Sequence, residues 1–147
     1  IFSQWVETLH ELQRRLHDFH PLAYHGRVPH RQRERVLEQF RDDPNCHILL
    51  ISYGAGGVGL NLQFANYVFL FDRWWNPAVE AQAIDRTHRI GQTRTVNAYK
   101  LIAPGTVEEK IWNLQQAKSR TIKDVLGEEG FAKSLDKNDL EFLFSED

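Results

Sequence analysis

Apolar residues along this chain alternate between short continuous runs and helical spacing. The runs predict five strands, near residues 1–3, 22–25, 47–53, 67–71 and 96–103. Between the runs, apolar residues recur every three or four positions, as Leu9, Leu12 and Leu16 do, which predicts amphipathic helices. Strands that alternate with helices and show no repeats predict an α/β fold with an open, mostly parallel sheet and helices on both faces.

The end of the chain predicts a helical extension with a different charge balance. A capping-box pattern at Thr106–Glu109 begins a long predicted helix that reaches Gly127. Residues 127–147 hold two lysines against seven acidic residues, a balance of −5, which leaves residues 1–126 at +3. We therefore expect a lobe over residues 1–127 and an acidic extension over 128–147, which packs back on the lobe through its aromatic side chains.

Composition limits the possible classes of protein. A length of 147 residues suits one domain, and the formal net charge of −2 is not that of a general nucleic-acid binder. Cys46 is the single cysteine, which excludes a disulfide framework and a zinc site built from several cysteines. No apolar run approaches membrane-spanning length, and we expect no metal site. The chain has no Met and starts within a predicted strand, so we expect a piece of a longer protein.

The stretch from Asp72 to Gln92 concentrates the candidate chemistry. Pro77 suits the first position of a helix, Asn76 can cap it, and Gly91 suits the left-handed residue that closes one. On such a helix one polar stripe and one apolar stripe lie side by side. The polar stripe consists of Gln82, Arg86 and Arg89, and the apolar stripe of Val79, Ala83 and Ile90.

Two guanidinium groups held one turn apart can bind a phosphate chain in bidentate fashion. The alternative is a solvated, charged helix face, the usual role of such spacing. The string Q-x-x-D-R-x-H-R-I-G-Q over Gln82–Gln92 resembles the last helicase motif of the Swi/Snf-type DNA translocases. That resemblance implies a RecA-like C-terminal lobe in which Arg86 and Arg89 are arginine fingers to ATP and Gln82 is their polar partner.

A glycine-rich loop follows the third predicted strand. Gly54-x-Gly56-x-x-Gly59 fits the dinucleotide fingerprint, but the spacing argues against an NAD site, because residues 60–66 amount to under two helical turns before the next strand. Residues 52–62 also resemble a translocase motif with A-G-G-x-G-L-N-L at its centre. In that resemblance the DNA backbone contacts Ser52, Tyr53 and Gly54, whereas Gly57 and Gly59 lie toward the nucleotide.

Three further segments resemble translocase motifs in the expected order, and each carries candidate DNA contacts. Phe2-Ser3-Gln4 resembles the first motif of this lobe, and Tyr24-His25-Gly26 the next. The tryptophan-containing motif is represented by residues 72–77. Carried over, the candidate DNA contacts are Ser3, Gln4, Gly26, Arg33 and Trp75. The alternative for Trp75 is a core-filling role; an exposed indole can instead pack on a sugar or base.

The chain lacks the parts that would hydrolyse ATP. It contains no G-x-x-x-x-G-K-[ST] loop and no acidic pair after a buried strand. The resemblance therefore implies that ATP and Mg²⁺ are bound mainly by an N-terminal RecA-like lobe of the same polypeptide, and that this chain alone is inactive. It further implies an intracellular, DNA-associated, monomeric motor on double-stranded DNA, in the nucleoid of a prokaryote or the nucleus of a eukaryote.

Other function classes remain open at this point. One is the same lobe in a strand-separating superfamily-two helicase. A second is a non-catalytic dinucleotide-binding module, and a third is a protein-interaction domain that uses the acidic, aromatic end of the chain.

Overall fold

Five parallel strands form the centre of the molecule in a computed structural model, which describes residues 1–56, 59–122 and 136–145. The strands are β1 (Phe2–Ser3), β2 (Leu22–Tyr24), β3 (Leu49–Ser52), β4 (Tyr67–Leu70) and β5 (Asn97–Lys100). Their order in the sheet is β2-β3-β1-β4-β5, and every pairing is parallel. The predicted α/β sheet is confirmed. The strands are shorter than the apolar runs from which they were predicted.

Six α-helices are present in the described ranges. They are α1 (Val6–Arg15), α2 (His30–Asp42), α3 (Tyr53–Gly56), α4 (Pro77–Asp85), α5 (Val107–Ile122) and α6 (Lys137–Phe144). A short 3₁₀ turn, His17–Phe19, follows α1. None of the helices in the described ranges combines the length and the apolar character that crossing a bilayer requires.

The main core lies on one face of the sheet. Phe2 is in register with Ile51 on one side and with Leu70 on the other, so the three side chains form a row across the central strands. Apolar residues of α2 and α4 pack against this row. Right-handed crossovers place these two helices on that face and α1, whose Leu9 is fully buried, on the opposite one.

The glycine loop does not support a dinucleotide site. Helix α3 is a single turn over Tyr53–Gly56, and no helix occurs in residues 59–66. A dinucleotide fingerprint needs a helix that runs back along the whole sheet with its amino terminus at the pyrophosphate. The absence of such a helix from these ranges removes the geometric basis for NAD binding.

A buried ion pair joins the loop after β4 to helix α4. The side chains of Arg73 and Glu80 are both 0% exposed, and Arg73 Nη1 lies 2.9 Å from Glu80 Oε2. Lys100 of β5 brings its Nζ to 3.1 Å from the same carboxylate oxygen. The Arg73 guanidinium also lies over the Trp112 ring, 4.9 Å from its centroid. One carboxylate thus holds a loop, a helix and a strand together.

Polar contacts attach the acidic extension to α5. The Asp136 side chain and the Asp139 carboxylate form a capping box at the start of α6. Lys118 pairs with Asp139, and Lys110 donates to the Ser145 carbonyl at 2.6 Å. Phe144 is 81% exposed. The expected packing through aromatics is therefore wrong for Phe144, while the boundary at residues 127 and 128 lies outside the described residues and stays a prediction.

Replacement of Glu80 by alanine should destabilise the fold strongly. The change leaves the Arg73 charge buried with its main partner removed, and breaking one half of a buried pair costs about 3–5 kcal/mol. Urea unfolding followed by tryptophan fluorescence would measure the change in free energy of unfolding. The exposed Glu34 on α2 provides the control, because Glu34→Ala should change that free energy by less than about 0.5 kcal/mol.

A double replacement, Arg73→Met with Glu80→Leu, should recover much of that loss, since apolar side chains of similar volume often substitute for a buried pair. A single Glu80→Ala variant with unaltered stability would contradict this description of the core.

Candidate nucleotide and nucleic-acid interface

The candidate DNA contacts follow the carboxyl ends of four strands. Because all strands are parallel, these ends lie along the same edge of the sheet. In open α/β sheets this edge is where ligands bind. The candidates on it are Ser3 at the end of β1 and Gln4 after it, Gly26 after β2, Ser52 at the end of β3 with Tyr53 and Gly54 after it, and Trp75 after β4.

Ser3 is an internal residue of this edge. Its side chain is fully buried, and its hydroxyl donates to the Asp72 carboxylate. The Gln4 amide donates to the other oxygen of Asp72 at 2.8 Å. Burial raises the pKa of Asp72, and the hydrogen bonds from Ser3 and Gln4 oppose that rise. The Ser3 hydroxyl is thus engaged inside the lobe, whereas the Gln4 side chain is half-buried, and the DNA contacts of both residues stay predictions.

Ser52 and Tyr53 also serve the interior. Ser52 is 7% exposed, and its hydroxyl oxygen accepts from the Ala55 amide at 3.4 Å. Tyr53 is 5% exposed, stacks on Phe2 and donates to the Asp72 carbonyl at 3.2 Å. Burial raises the pKa of Tyr53 far above its usual value. Both hydroxyl groups therefore make internal contacts in this structure, and the DNA contacts of Ser52 and Tyr53 stay predictions.

Arg33 holds the turn between β2 and α2. Its Nε donates to the Val28 carbonyl at 2.7 Å and its Nη2 to the Gly26 carbonyl at 2.9 Å. The guanidinium also lies 5.9 Å from the centroid of the Tyr24 ring. These contacts direct Arg33 at its own turn, which favours a structural role over a DNA contact. Gly26 itself is exposed.

The glycines of the loop after β3 differ in what the structure reveals. Gly54 is exposed, and no heavy atom lies within 4 Å of where its Cβ would be. Gly59 is exposed and has a φ of +65°, a conformation that favours glycine. Gly57, the other predicted nucleotide-side residue, lies outside the described residues. The nucleotide role of Gly57 and Gly59 stays a prediction.

The tryptophan pair is half-buried on the loop between β4 and α4. The rings of Trp74 and Trp75 are tilted at 45° to each other, with centroids 6.1 Å apart. The Gln115 side chain donates to the Trp74 carbonyl at 2.8 Å and to the Trp75 carbonyl at 3.1 Å. Each indole therefore keeps an accessible part while the backbone beneath it is fixed.

Helix α4 begins as predicted and ends earlier. Pro77 is its first residue, and the Asn76 side chain accepts from the Ala78 amide at 2.9 Å. Its last helical residue is Asp85, and Arg86 is the C-cap. Arg89 lies on the turn beyond. The expected single stripe of Gln82, Arg86 and Arg89 on one continuous helix is therefore wrong.

Hydrogen bonds fix the turn that carries the arginines. Gln92 donates through Nε2 to the Ala65 carbonyl at 2.8 Å, and Thr87 Oγ1 donates to the Ile84 carbonyl at 2.8 Å. The Leu62 amide donates to the Arg86 carbonyl at 2.8 Å. Gly91 has a φ of +101°, and an added Cβ would lie 3.0 Å from the Gln63 side chain. The turn thus replaces the predicted last helical turn.

The two arginines differ in exposure. Arg89 is exposed and donates weakly to the Leu60 carbonyl at 3.5 Å, whereas Arg86 is half-buried. Gln82 is exposed on α4. Ile90, expected on the apolar stripe, is fully exposed at 102%, because the chain has left the helix before reaching it. Val79 and Ala83 do pack on the core as predicted.

Helix α4 separates the loop before it, residues 71–76, from the turn after it, residues 86–92; we call these the tryptophan loop and the arginine turn. Its nine residues span roughly 14 Å at 1.5 Å per residue. The helix starts at the carboxyl edge of the sheet and runs back from it. The tryptophans and the arginines therefore lie at opposite ends of one rigid element that Glu80 fixes to the core.

Several residues that organise this region were missed from the sequence. Asp72, Arg73, Glu80 and Gln115 are all buried and polar. A signal was available for Glu80, which lies one turn before the buried Ala83 and so on the inner side of α4. No spacing rule connects Arg73 with Gln115, 42 residues further along the chain.

Comparison with known proteins bears out the resemblance found in the motifs. The family model described as the helicase conserved C-terminal domain matches residues 1–91. DNA repair protein RAD5B of Arabidopsis thaliana is 45% identical over 146 residues, which cover 98% of this chain and 11% of that protein. The chain thus spans about a tenth of that relative's length.

Solved structures agree with the fold. The C-terminal part of the Fun30 ATPase domain superposes with a TM-score of 0.74 and 38% identity, covering 77% of this chain and 37% of that one. The Sulfolobus solfataricus SWI2/SNF2 ATPase core domain gives a TM-score of 0.72 and 33% identity, covering 97% of this chain and 29% of that one. The chain therefore belongs to the helicase conserved C-terminal domain family, as the C-terminal RecA-like lobe of a SWI2/SNF2-type, helicase-like ATPase.

Proposed function

We propose that this lobe supplies Arg86 and Arg89 as arginine fingers to ATP bound on the N-terminal lobe of the same polypeptide. The observation that carries the proposal is the arginine turn itself. Hydrogen bonds with Leu62 and Ala65 hold this turn, yet Arg89 on the turn and Gln82 on the adjoining helix α4 are exposed to solvent. A fixed cation at an open surface stabilises developing charge on a transferring phosphoryl group without reorganisation.

The chemistry of these side chains fits a triphosphate. Arginine presents several N–H donors in a planar fork that matches phosphate oxygens, and Gln82 can donate or accept beside it. Among the described residues, no group of three His, Cys, Asp or Glu side chains is placed to hold a metal ion. In this proposal ATP and Mg²⁺ are held mainly by the other lobe, where Mg²⁺ would neutralise phosphate charge.

The DNA track is proposed for the opposite end of α4. Trp75 is half-buried at the carboxyl edge, and Gln4, Gly26 and Gly54 lie along the same edge with accessible atoms. An indole can pack against a sugar or base without reading sequence. In this proposal the intact protein is a monomeric, DNA-dependent ATPase that moves on double-stranded DNA inside the cell, and ATP closes the two lobes on the duplex.

Loss of either finger should abolish DNA-stimulated ATP turnover in the intact protein. Arg86→Ala and Arg89→Ala are each expected to lower the maximal rate by about 10³–10⁵-fold, the usual effect of removing an arginine finger. ATP hydrolysis at saturating duplex DNA measures it. The matched control is Arg35→Ala, an exposed arginine on α2. An Arg86, Arg89 double alanine variant that retained near-normal turnover would remove the basis of the proposal.

Replacement of Trp75 by alanine should weaken DNA binding while sparing the chemistry. Loss of one stacked aromatic contact costs about 1–3 kcal/mol, so the duplex concentration for half-maximal stimulation should rise by roughly five- to a hundredfold. The maximal rate should change little. Phe19→Ala is the control, since Phe19 is 50% exposed and precedes β2 at the amino edge of the sheet. Equal DNA dependence of the Trp75 variant and the unaltered protein would eliminate this contact.

A further inference from the structure

Gln115 of α5 is a buried residue whose side-chain amide forms hydrogen bonds with three residues of the tryptophan loop. It is 4% exposed. Its Nε2 donates to the Trp74 carbonyl at 2.8 Å and to the Trp75 carbonyl at 3.1 Å. Its Oε1 accepts from Arg73 Nη2. Three consecutive residues of the loop are thus contacted by one carboxamide from a helix 40 residues further along the chain.

The chemistry of this position requires an amide. The two tryptophan carbonyls only accept hydrogen bonds, and the Arg73 guanidinium only donates them. A side chain that bridges both kinds of group must carry two donors and an acceptor, which among the neutral side chains only glutamine and asparagine do. Of those two, the shorter asparagine lacks the reach that these 2.8 Å and 3.1 Å contacts use.

The same helix holds the loop at a second point. The Glu108 carboxylate accepts from the Arg73 amide at 3.4 Å and from the Ala103 amide at 3.1 Å. Glu108 and Gln115 are seven residues apart, two helical turns, and so lie on the same side of α5. Helix α5 therefore contacts the tryptophan loop at two points: Glu108 binds the Arg73 amide, and Gln115 binds the carbonyls of the next two residues.

We propose that Gln115 is a positioning residue for nucleic-acid binding, which sets the backbone of Trp74 and Trp75 so that the Trp75 indole is presented at the carboxyl edge. The inference rests on the proposed DNA contact of Trp75. It assigns to α5, a helix outside every motif recognised in the sequence, a direct part in forming that contact. Without the carboxamide these three hydrogen bonds are lost, and the loop exchanges among several arrangements.

The test uses the intact protein and the variant Gln115→Leu, which keeps the size of the side chain and removes all three hydrogen bonds. Hydrogen exchange of the amides of residues 74–76 and 78 should become at least tenfold faster, while exchange in β3 stays unchanged. The duplex DNA concentration for half-maximal ATPase stimulation should rise about as much as in Trp75→Ala. The maximal rate at saturating DNA should stay within about twofold.

Two further variants make the test independent of simple folding defects. Gln115→Glu keeps the shape of the side chain and the hydrogen bond from Arg73, but its carboxylate cannot donate to the two carbonyls. It should therefore show the same faster exchange and the same higher half-maximal DNA concentration as Gln115→Leu. Asn113→Leu changes an exposed residue of the same helix and should alter neither. If Gln115→Leu fails to fold, Gln115→Glu carries the test.

Each outcome decides one of the two proposals. Unchanged amide exchange of residues 74–76 and 78 in Gln115→Leu or Gln115→Glu overturns the positioning role. Unchanged DNA dependence in these variants, when Trp75→Ala does raise the half-maximal concentration, also overturns it. A double variant, Gln115→Leu with Trp75→Ala, should match Trp75→Ala alone, and additive effects would contradict action through Trp75. If Trp75→Ala itself leaves the half-maximal DNA concentration unchanged, the proposed DNA contact of Trp75 is overturned instead.

Discussion

The buried contact between Arg73 and Glu80 is the constraint on which the candidate surfaces of this lobe depend. Two charges without solvent exposure are costly to bury, and the cost is offset only when geometry and additional partners are good. Lys100, the Trp112 ring and Gln115 provide those partners. The result is a polar junction at which the loop after β4, helix α4, strand β5 and helix α5 meet in one arrangement.

This junction fixes the position of helix α4 between the two candidate surfaces. The helix carries the tryptophan loop at its first residue and the arginine turn after its last, and Glu80 fixes it near its start. A nine-residue helix packed on the core holds its two ends at a fixed separation. Under the proposed function, the DNA contact of Trp75 and the triphosphate contacts of Arg86 and Arg89 therefore lie at a fixed distance from each other within this lobe.

The sequence predicted what local rules control. Apolar runs located all five strands, and proline with a capping asparagine located the start of α4. The end of α4 was missed because the helix ends at Asp85 and a turn follows, which Thr87 stabilises by a local bond to the Ile84 carbonyl and Gln92 by a long-range bond to the Ala65 carbonyl. Motif resemblance selected the edge that carries the candidates. It did not separate side chains that point to solvent from those that hold the edge, since Ser3 and Tyr53 pair with Asp72 through contacts about 70 and 20 residues apart.

The most direct measurement is a structure of the intact protein with duplex DNA and a non-hydrolysable ATP analogue. The account predicts that the guanidinium groups of Arg86 and Arg89 lie within about 3.5 Å of phosphate oxygens of the nucleotide held by the other lobe. It also predicts Trp75 against the DNA, with Gln115 still bonded to the loop. A closed complex in which neither guanidinium group contacts a phosphate oxygen of the nucleotide, directly or through one water molecule, would contradict it.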